Sequence, residues 1–365
     1  MKSRKHAPAP LLAFLPRGET VVVDAMNCPL PTSRYDTITL AHGGGGTLTA
    51  SLLNEIFLPA FGPPAPAPHD ASAFAIGPQQ LAITTDSYVV QPLFFPGGNI
   101  GSLAVNGTVN DLLMAGARPR ALTASFILEE GLPLATLRTV VDTMQQAAQA
   151  AGVRIIAGDT KVIHRANGDG LYITTTGVGD IVTPAPLAPE RIAAGDQIIL
   201  TGDLGRHGIA VMAQRLGLTF EPPVQSDCAA LSAPLLELFA AGIPLHCARD
   251  ATRGGLGGIL CELAAAAQLA VEINEAALPV APAVRSACEL LGFDPLFVAN
   301  EGCAALFVAA ADVEPTLAIL RRYAVTAQAL VIGQVAAGRG VTARTALGTT
   351  RRLVPPSGEQ LPRIC

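Results

Sequence analysis

Apolar side chains return every three or four residues through Leu137, Val140, Val141, Met144, Ala147, Ala148 and Ala151, a helical period that Gly152 stops. Residues 153–157 then read as a buried strand that empties into the polar group Gly158-Asp159-Thr160-Lys161. Residues 81–85 do the same for Asp86-Ser87, and 171–176 form a third strand. Pro184, Pro186 and Pro189 interrupt the pattern, and Gly195-Asp196 opens a second half with the same grammar. Strands are expected there at 197–201, 271–273, 304–309 and 329–335, and helices at 231–241, 256–270, 282–291 and 314–323. The alternation predicts an α/β (α+β) fold in two domains, 37–186 and 187–350. Residues 1–36, with one β-like run at 20–23, read as an N-terminal extension, and 62–68 as an exposed polyproline-like loop. The aperiodic stretch 351–365 is expected to be a mobile tail.

Composition narrows the function classes. A chain of 365 residues that is 50% hydrophobic can bury two cores. With 24 Lys+Arg against 29 Asp+Glu it has no basic field, so neither nucleic acid nor an anionic membrane surface is an expected partner. No run approaches the roughly 18 apolar residues of a membrane span. The seven cysteines, at 28, 228, 247, 261, 288, 303 and 365, are odd in number and contain no C-x-x-C. That pattern fits neither a disulfide framework nor a zinc ribbon, and a reducing cytoplasm is expected. Cys261, Cys288 and Cys303 sit in apolar surroundings and read as packing, while Cys28, Cys228 and Cys247 stay undecided. Cys365 is either a chance last residue or a tethered nucleophile or carrier. His207, within Gly205-Arg206-His207-Gly208, reads as a surface turn residue.

Neither G-x-x-x-x-G-K-S/T nor G-x-G-x-x-G occurs, so a nucleotide site would have to be built another way. Five turns of small residues carry acids: 84–88, 107–111, 158–161, 249–255 and 300–302. Small residues let backbone approach a polyphosphate, and hard carboxylate oxygens suit Mg²⁺, so together the turns sketch a magnesium-nucleotide site. Asp86 and Asp250 taken singly read equally well as turn or cap residues. Asp111 is the only charged residue between Gln91 and Arg118, in an apolar helical stretch; it either faces solvent or has a function. Four consecutive glycines at 43–46 are entropically costly to order, and read as a linker or as a loop that closes over phosphates.

Eight segments in order carry a closer likeness: His42-Gly43-Gly44-Gly45-Gly46, Thr85-Asp86-Ser87-Tyr88, Phe94-Phe95-Pro96-Gly97-Gly98-Asn99-Ile100-Gly101, Gly107-Thr108-Val109-Asn110-Asp111, Gly158-Asp159-Thr160-Lys161-Val162, Arg249-Asp250-Ala251-Thr252-Arg253-Gly254-Gly255, Asn300-Glu301-Gly302 and Pro362-Arg363-Ile364-Cys365. From about Tyr35 to Cys365 the chain resembles the HypE family of NiFe-hydrogenase maturation factors, in the AIR-synthetase (PurM-like) superfamily of ATP-dependent proteins. The resemblance implies a two-domain PurM-like architecture with a flexible C-terminal tail, a homodimer, and ATP and Mg²⁺ as cofactors. It implies that the carbamoyltransferase HypF loads Cys365 with a carbamoyl group and that the thiocarbamate is dehydrated to a thiocyanate. The cyanide then passes to iron on the HypC and HypD scaffold. It further implies His42, Gly43, Gly44, Gly45, Gly46, Asp86, Asn99, Asn110, Asp159, Thr160 and Asp250 at ATP, and Asp86, Asp111, Asp159 and Asp250 at Mg²⁺. Glu301 is expected as base and Lys161 as charge stabiliser, with a phosphate contact the alternative for Lys161. Residues 1–36 and 62–68 have no counterpart in the resemblance. The rival readings are a PurM-like enzyme acting on a free small molecule and a non-catalytic tail-bearing carrier.

Overall fold

The computed structural model describes residues 46–57, 60, 69–355, 361 and 364–365. The run at 20–23, the Pro-Ala stretch at 62–68 and the loop residues His42, Gly43, Gly44 and Gly45 therefore lie outside the described residues. After a short helix α1 (Thr47–Leu52), the first sheet is built from β1 (Ser72–Ile76), β2 (Gln79–Tyr88), β5 (Ala117–Glu129), β6 (Arg154–Ile163) and β7 (Leu171–Ile181). A two-residue pair, β3 (Phe94–Phe95) and β4 (Gly98–Asn99), lies between β2 and β5 in the chain. The strand order is β1-β2-β7-β5-β6, antiparallel throughout except for the β5–β6 pair. Every second residue of β7 from Leu171 to Gly179 is buried, the two-residue period of a strand with one covered face.

Helix α2 (Ile100–Met114) covers that face, and α3 (Leu134–Ala151) packs on α2. Asn99 caps α2, its side-chain oxygen accepting from Gly101 N–H at 2.8 Å and Ser102 N–H at 3.3 Å. All of α2 except Ser102 is buried, as expected of a helix apolar on every side. On α3 only the stripe Val140, Met144, Ala148 and Ala151 is buried, and Gly152 in the left-handed conformation ends it.

The second sheet contains β8 (Gln197–Leu200), β9 (Leu245–Asp250), β10 (Ala270–Asn274), β11 (Ala304–Val308), β12 (Leu330–Ala336), β13 (Gly340–Arg344) and β14 (Thr350–Leu353), in the order β14-β13-β10-β12-β8-β11-β9. It is accompanied by α4 (Arg206–Leu216), α5 (Ser232–Ala240), α6 (Gly255–Ala267), α7 (Pro282–Leu291) and α8 (Val313–Leu320). Helix α2 packs against β2, β5 and β7 on one side and against α5 and β9 on the other, so one apolar core runs from Leu103 through Leu235 to Leu306. Acidic residues carried by α2, β2 and β9 are thereby brought together. No helix among the described residues is long and apolar enough to cross a membrane.

Four expectations change, and the first is that the strand expected to be buried at 153–157 is β6, exposed from Arg154 to Val162. Strand β6 runs on to Ile163 and β2 to Tyr88, so Asp159 and Lys161, like Asp86, sit within strands and not beyond their ends. Backbone pairing continues past the apolar residues, with Asp159 opposite Ser125 and Asp86 opposite Thr175. The expected tail from 351 begins as β14, in register with β13, and Leu361 and Ile364 near its end are buried in the main core. Finally, His207 is no surface turn residue: it lies in the first turn of α4 and is fully buried.

Candidate functional site

A cavity of about 340 Å³ lies between the end of β2, helix α2 and the loops that follow β9 and precede β11. Asp86, Tyr88, Asp111, Asp250, Glu301 and Cys365 all line it. Thr84, Asp86 and Tyr88 share one face of β2 because side chains alternate along a strand. Thr84 donates to Asp111 Oδ2 at 2.7 Å, and the Tyr88 hydroxyl donates to Asp86 Oδ2 at 3.3 Å. Asp111 stands in the last turn of α2, where the helix dipole disfavours a negative charge. Asp250 is the last residue of β9.

A further carboxylate joins them. Asp70, just before β1, places an oxygen within 4.8 Å of oxygens of Asp111 and Asp250. The Arg249 guanidinium partly balances this cluster, with Nε 2.5 Å from Asp70 Oδ1 and Nη2 3.2 Å from Glu262. Burial, then the neighbouring carboxylates, holds Asp111 well above the usual carboxylate range. Asp70 is likewise raised by burial despite Arg249, and Asp250 is pushed up to about 6. Burial and then the Asp250 and Asp227 charges raise Glu301 as well. Asp70 Oδ2 and Glu301 Oε1 are buried with no hydrogen-bond partner among the described residues. Orphaned hard oxygens in a buried cluster of three carboxylates fit a divalent cation such as Mg²⁺, which would offset the repulsion they now bear.

The end of the chain reaches this cavity. Val89 N–H donates to the main-chain oxygen of Cys365 at 3.2 Å, and His207 Nε2 lies 2.8 Å from the Ile364 carbonyl. Burial pushes His207 down to about 4, so its ring is neutral near pH 7. Another thiol, Cys228, receives the Asn106 amide at 3.5 Å, and burial raises it to about 12, which keeps it protonated and unreactive. Cys247, Cys288 and Cys303 are buried in the cores and Cys261 packs at the margin of one, while Cys28 lies outside the described residues.

Of the residues expected at one site, Asp86, Asp111, Asp250, Glu301 and Cys365 are together. Asn99 and Asn110 are not among the cavity-lining residues. Asn99 is the α2 cap and donates to Thr143, whereas Asn110 donates to the Ala229 carbonyl at 3.0 Å and accepts from Leu231 N–H, pinning α2 to the chain before α5. Gly46 is the residue before α1 and does not line the cavity. Asp159, Thr160 and Lys161 lie on the exposed edge strand β6, where Lys161 donates to Asp159 at 2.6 Å, and a single chain does not bring them to the cavity. Sequence reasoning assigned no role to Asp70, Tyr88, Arg249 or His207. Arg249 and Tyr88 stood inside quoted motifs, but Asp70 follows the polyproline loop with no motif of its own, and only strand pairing delivers it.

Residues 68–181 match the family model "AIR synthase related protein, N-terminal domain", and residues 193–345 the corresponding C-terminal domain. The chain is 47% identical over 337 residues to the carbamoyl dehydratase HypE of Rhodobacter capsulatus, covering 91% of this chain and 99% of the relative. It is 43% identical over 336 residues to that of Escherichia coli, covering 90% and 100%. A solved structure of hydrogenase maturation protein HypE in complex with ATP superposes with a TM-score of 0.77 at 43% identity, covering 90% of this chain and 100% of that one. The structure of a HypE–HypF complex matches with a TM-score of 0.80 at 40% identity, covering 84% and 100%.

Proposed function

Since the chain belongs to the HypE family of carbamoyl dehydratases, we propose that it converts a carbamoyl group carried on its own Cys365 into a thiocyanate, with ATP, to supply cyanide for the iron of NiFe-hydrogenase. The observation that carries this reading is that Cys365 lines the same cavity as the carboxylate cluster and Glu301. HypF is the donor of the carbamoyl group and the HypC and HypD scaffold the acceptor of the cyanide, in a cytoplasmic setting.

The chemistry removes one water from an S-bound primary amide. ATP, when bound, would supply the phosphoryl group that turns the carbamoyl oxygen into a leaving group, and Asp70, Asp111, Asp250 and Asp86 would hold Mg²⁺, which would supply charge neutralisation there. The remaining work falls to side chains. Glu301, whose Oε1 has no hydrogen-bond partner among the described residues, takes one proton from the amide nitrogen, and the second leaves with the phosphate as the C≡N bond forms. Burial raises its basicity, which suits this role. Tyr88 and Thr84 orient Asp86 and Asp111.

Lys161 enters this reading through a homodimer. It stands on the exposed edge strand β6, whose Ile156 and Val162 expose apolar side chains, so a second copy laid along this edge would cover them and carry its Lys161 elsewhere than to its own cavity. The test is incubation with HypF, carbamoyl phosphate and MgATP, followed by mass analysis of the tail peptide. The reading requires gain of one carbamoyl group on Cys365 and then loss of one water. Absence of the water loss, or undiminished turnover in Cys365→Ala, sinks it.

A further inference from the structure

His207 has no role in the chemistry above, yet it is a fully buried polar side chain with both ring nitrogens engaged. Its Nε2 faces the Ile364 carbonyl at 2.8 Å. A carbonyl only accepts, so Nε2 carries the proton. In the neutral ring Nδ1 is then an acceptor, and it takes the hydroxyl proton of Ser226 at 2.8 Å. The Ser226 oxygen in turn accepts Cys228 N–H at 3.0 Å, so every group in the relay has one defined role.

Two main-chain oxygens of the docked end, among the described residues, are held by named donors. Ile364 presents its carbonyl to His207, and Cys365 presents its main-chain oxygen to Val89 N–H at the end of β2. The side chains of Ile364 and Leu361 fill space: Ile364 is buried in the core and Leu361 lies over Gly208, where a Cβ would come within 3.1 Å of its Cδ1 and 2.6 Å of Val298. The segment that orients His207 also holds Glu301. Asp227, next to Ser226, accepts Glu301 N–H and Gly302 N–H. One short loop thus grips the tail through an imidazole and the base through a carboxylate.

We infer that His207 is a positioning residue for the dehydration: fixed by Ser226 as the Nε2–H tautomer, it holds the Ile364 carbonyl and so presents Cys365 to the cavity in register with Glu301. This rests on Cys365 being the carrier of the reacting group. A latch built on one imidazole and one backbone donor can open without disturbing either sheet, which a tail visiting other proteins requires.

The test is the rate at which iodoacetamide labels Cys365 in the full-length chain, read from the tail-peptide mass, in wild type, His207→Leu, His207→Gln and Ser226→Ala. Losing the imidazole donor to the buried Ile364 carbonyl raises the labelling rate about tenfold in His207→Leu. His207→Gln, which restores an amide N–H donor, returns it to within about twofold of wild type, and the dehydration rate follows the same order. Wild-type labelling in a folded His207→Leu protein, or equal acceleration by Leu and Gln, overturns the inference. If His207→Leu does not fold, Ser226→Ala decides: it keeps the ring, frees its tautomer and must accelerate labelling, and no acceleration overturns the inference. Failure of HypF ever to load wild-type Cys365 would defeat the carrier reading while leaving the labelling comparison intact.

Discussion

Both carboxylate oxygens of Asp227 accept the backbone N–H of Glu301, each at 3.2 Å, and one of them also accepts Gly302 N–H at 3.0 Å. The fit leaves no room for a side chain at 302, where a Cβ would sit 2.0 Å from the Asp227 carbonyl oxygen. Burial nevertheless pushes Asp227 up to about 6, outweighing the hydrogen bonds that favour its charged form. A raised folded-state value contributes stability that is complete below the ordinary value and lost as pH climbs through the raised one.

Wild type should therefore lose stability relative to Asp227→Asn as pH rises from about 4 to about 6, by an amount of the order of 1–3 kcal/mol. Thermal unfolding of both proteins across that window checks the sign. Parallel curves would show that burial does not dominate at this carboxyl.

Arg249 pairs with Asp70, and its removal takes that cation away from beside Asp70, Asp111 and Asp250. Arg249→Met should destabilise the metal-free chain by about 3 kcal/mol at pH 7 in urea unfolding. The loss should shrink near pH 4, where the carboxyls are protonated. A pH-independent loss would point to packing of the arginine stem instead.

Divalent cation should relieve the same repulsion. At about 100-fold excess over its dissociation constant, Mg²⁺ is expected to add about 2.7 kcal/mol, reversed by chelator and absent in Asp111→Asn. Because a cation needs ionised oxygens and burial holds Asp250 near 6, its affinity should strengthen from pH 5 to pH 7. An unchanged melting temperature with millimolar Mg²⁺ would contradict the assignment of these three residues.

Lys161 and Asp159 form an exposed pair, so Lys161→Ala should alter stability by less than about 0.5 kcal/mol. Its effect on turnover should instead reveal the dimer. Mixing inactive Lys161→Ala and Glu301→Gln proteins should regenerate about a quarter of wild-type activity, since half the dimers are mixed and each mixed dimer has one intact site. No recovery on mixing would mean that Lys161 does not serve a partner's cavity.

Much of this molecule was legible in one dimension. The helix stopping at Gly152, the helix at 282–291 and the strands near 197–201, 304–309 and 329–335 follow from their apolar runs or period and glycine punctuation, because the helices bury one stripe of their own sequence and the strand at 304–308 is buried throughout. Asp86, Asp250 and Glu301 stood out together as acids carried in turns of small residues, and Asp111 as the only charge in an apolar helical stretch. Helix α4 and strand β9 were not legible, since they carry polar residues that find buried partners elsewhere: His207 on Ser226 and Ile364, Arg249 on Asp70.

The amino-acid sequence alone determined which residues could bear charge, bind phosphate or carry a thiol, because those properties belong to side chains and their immediate neighbours. Only the tertiary structure decided which of them meet. Strand pairing brings Asp70 to Asp111, α2 buried between the two sheets joins β2 to β9, and His207 turns an aperiodic chain end into a docked one. The same pairing holds Lys161 on an open edge. These contacts span up to 157 residues of chain in the case of His207 and Ile364, a separation at which periodicity carries no information and packing alone chooses the partner.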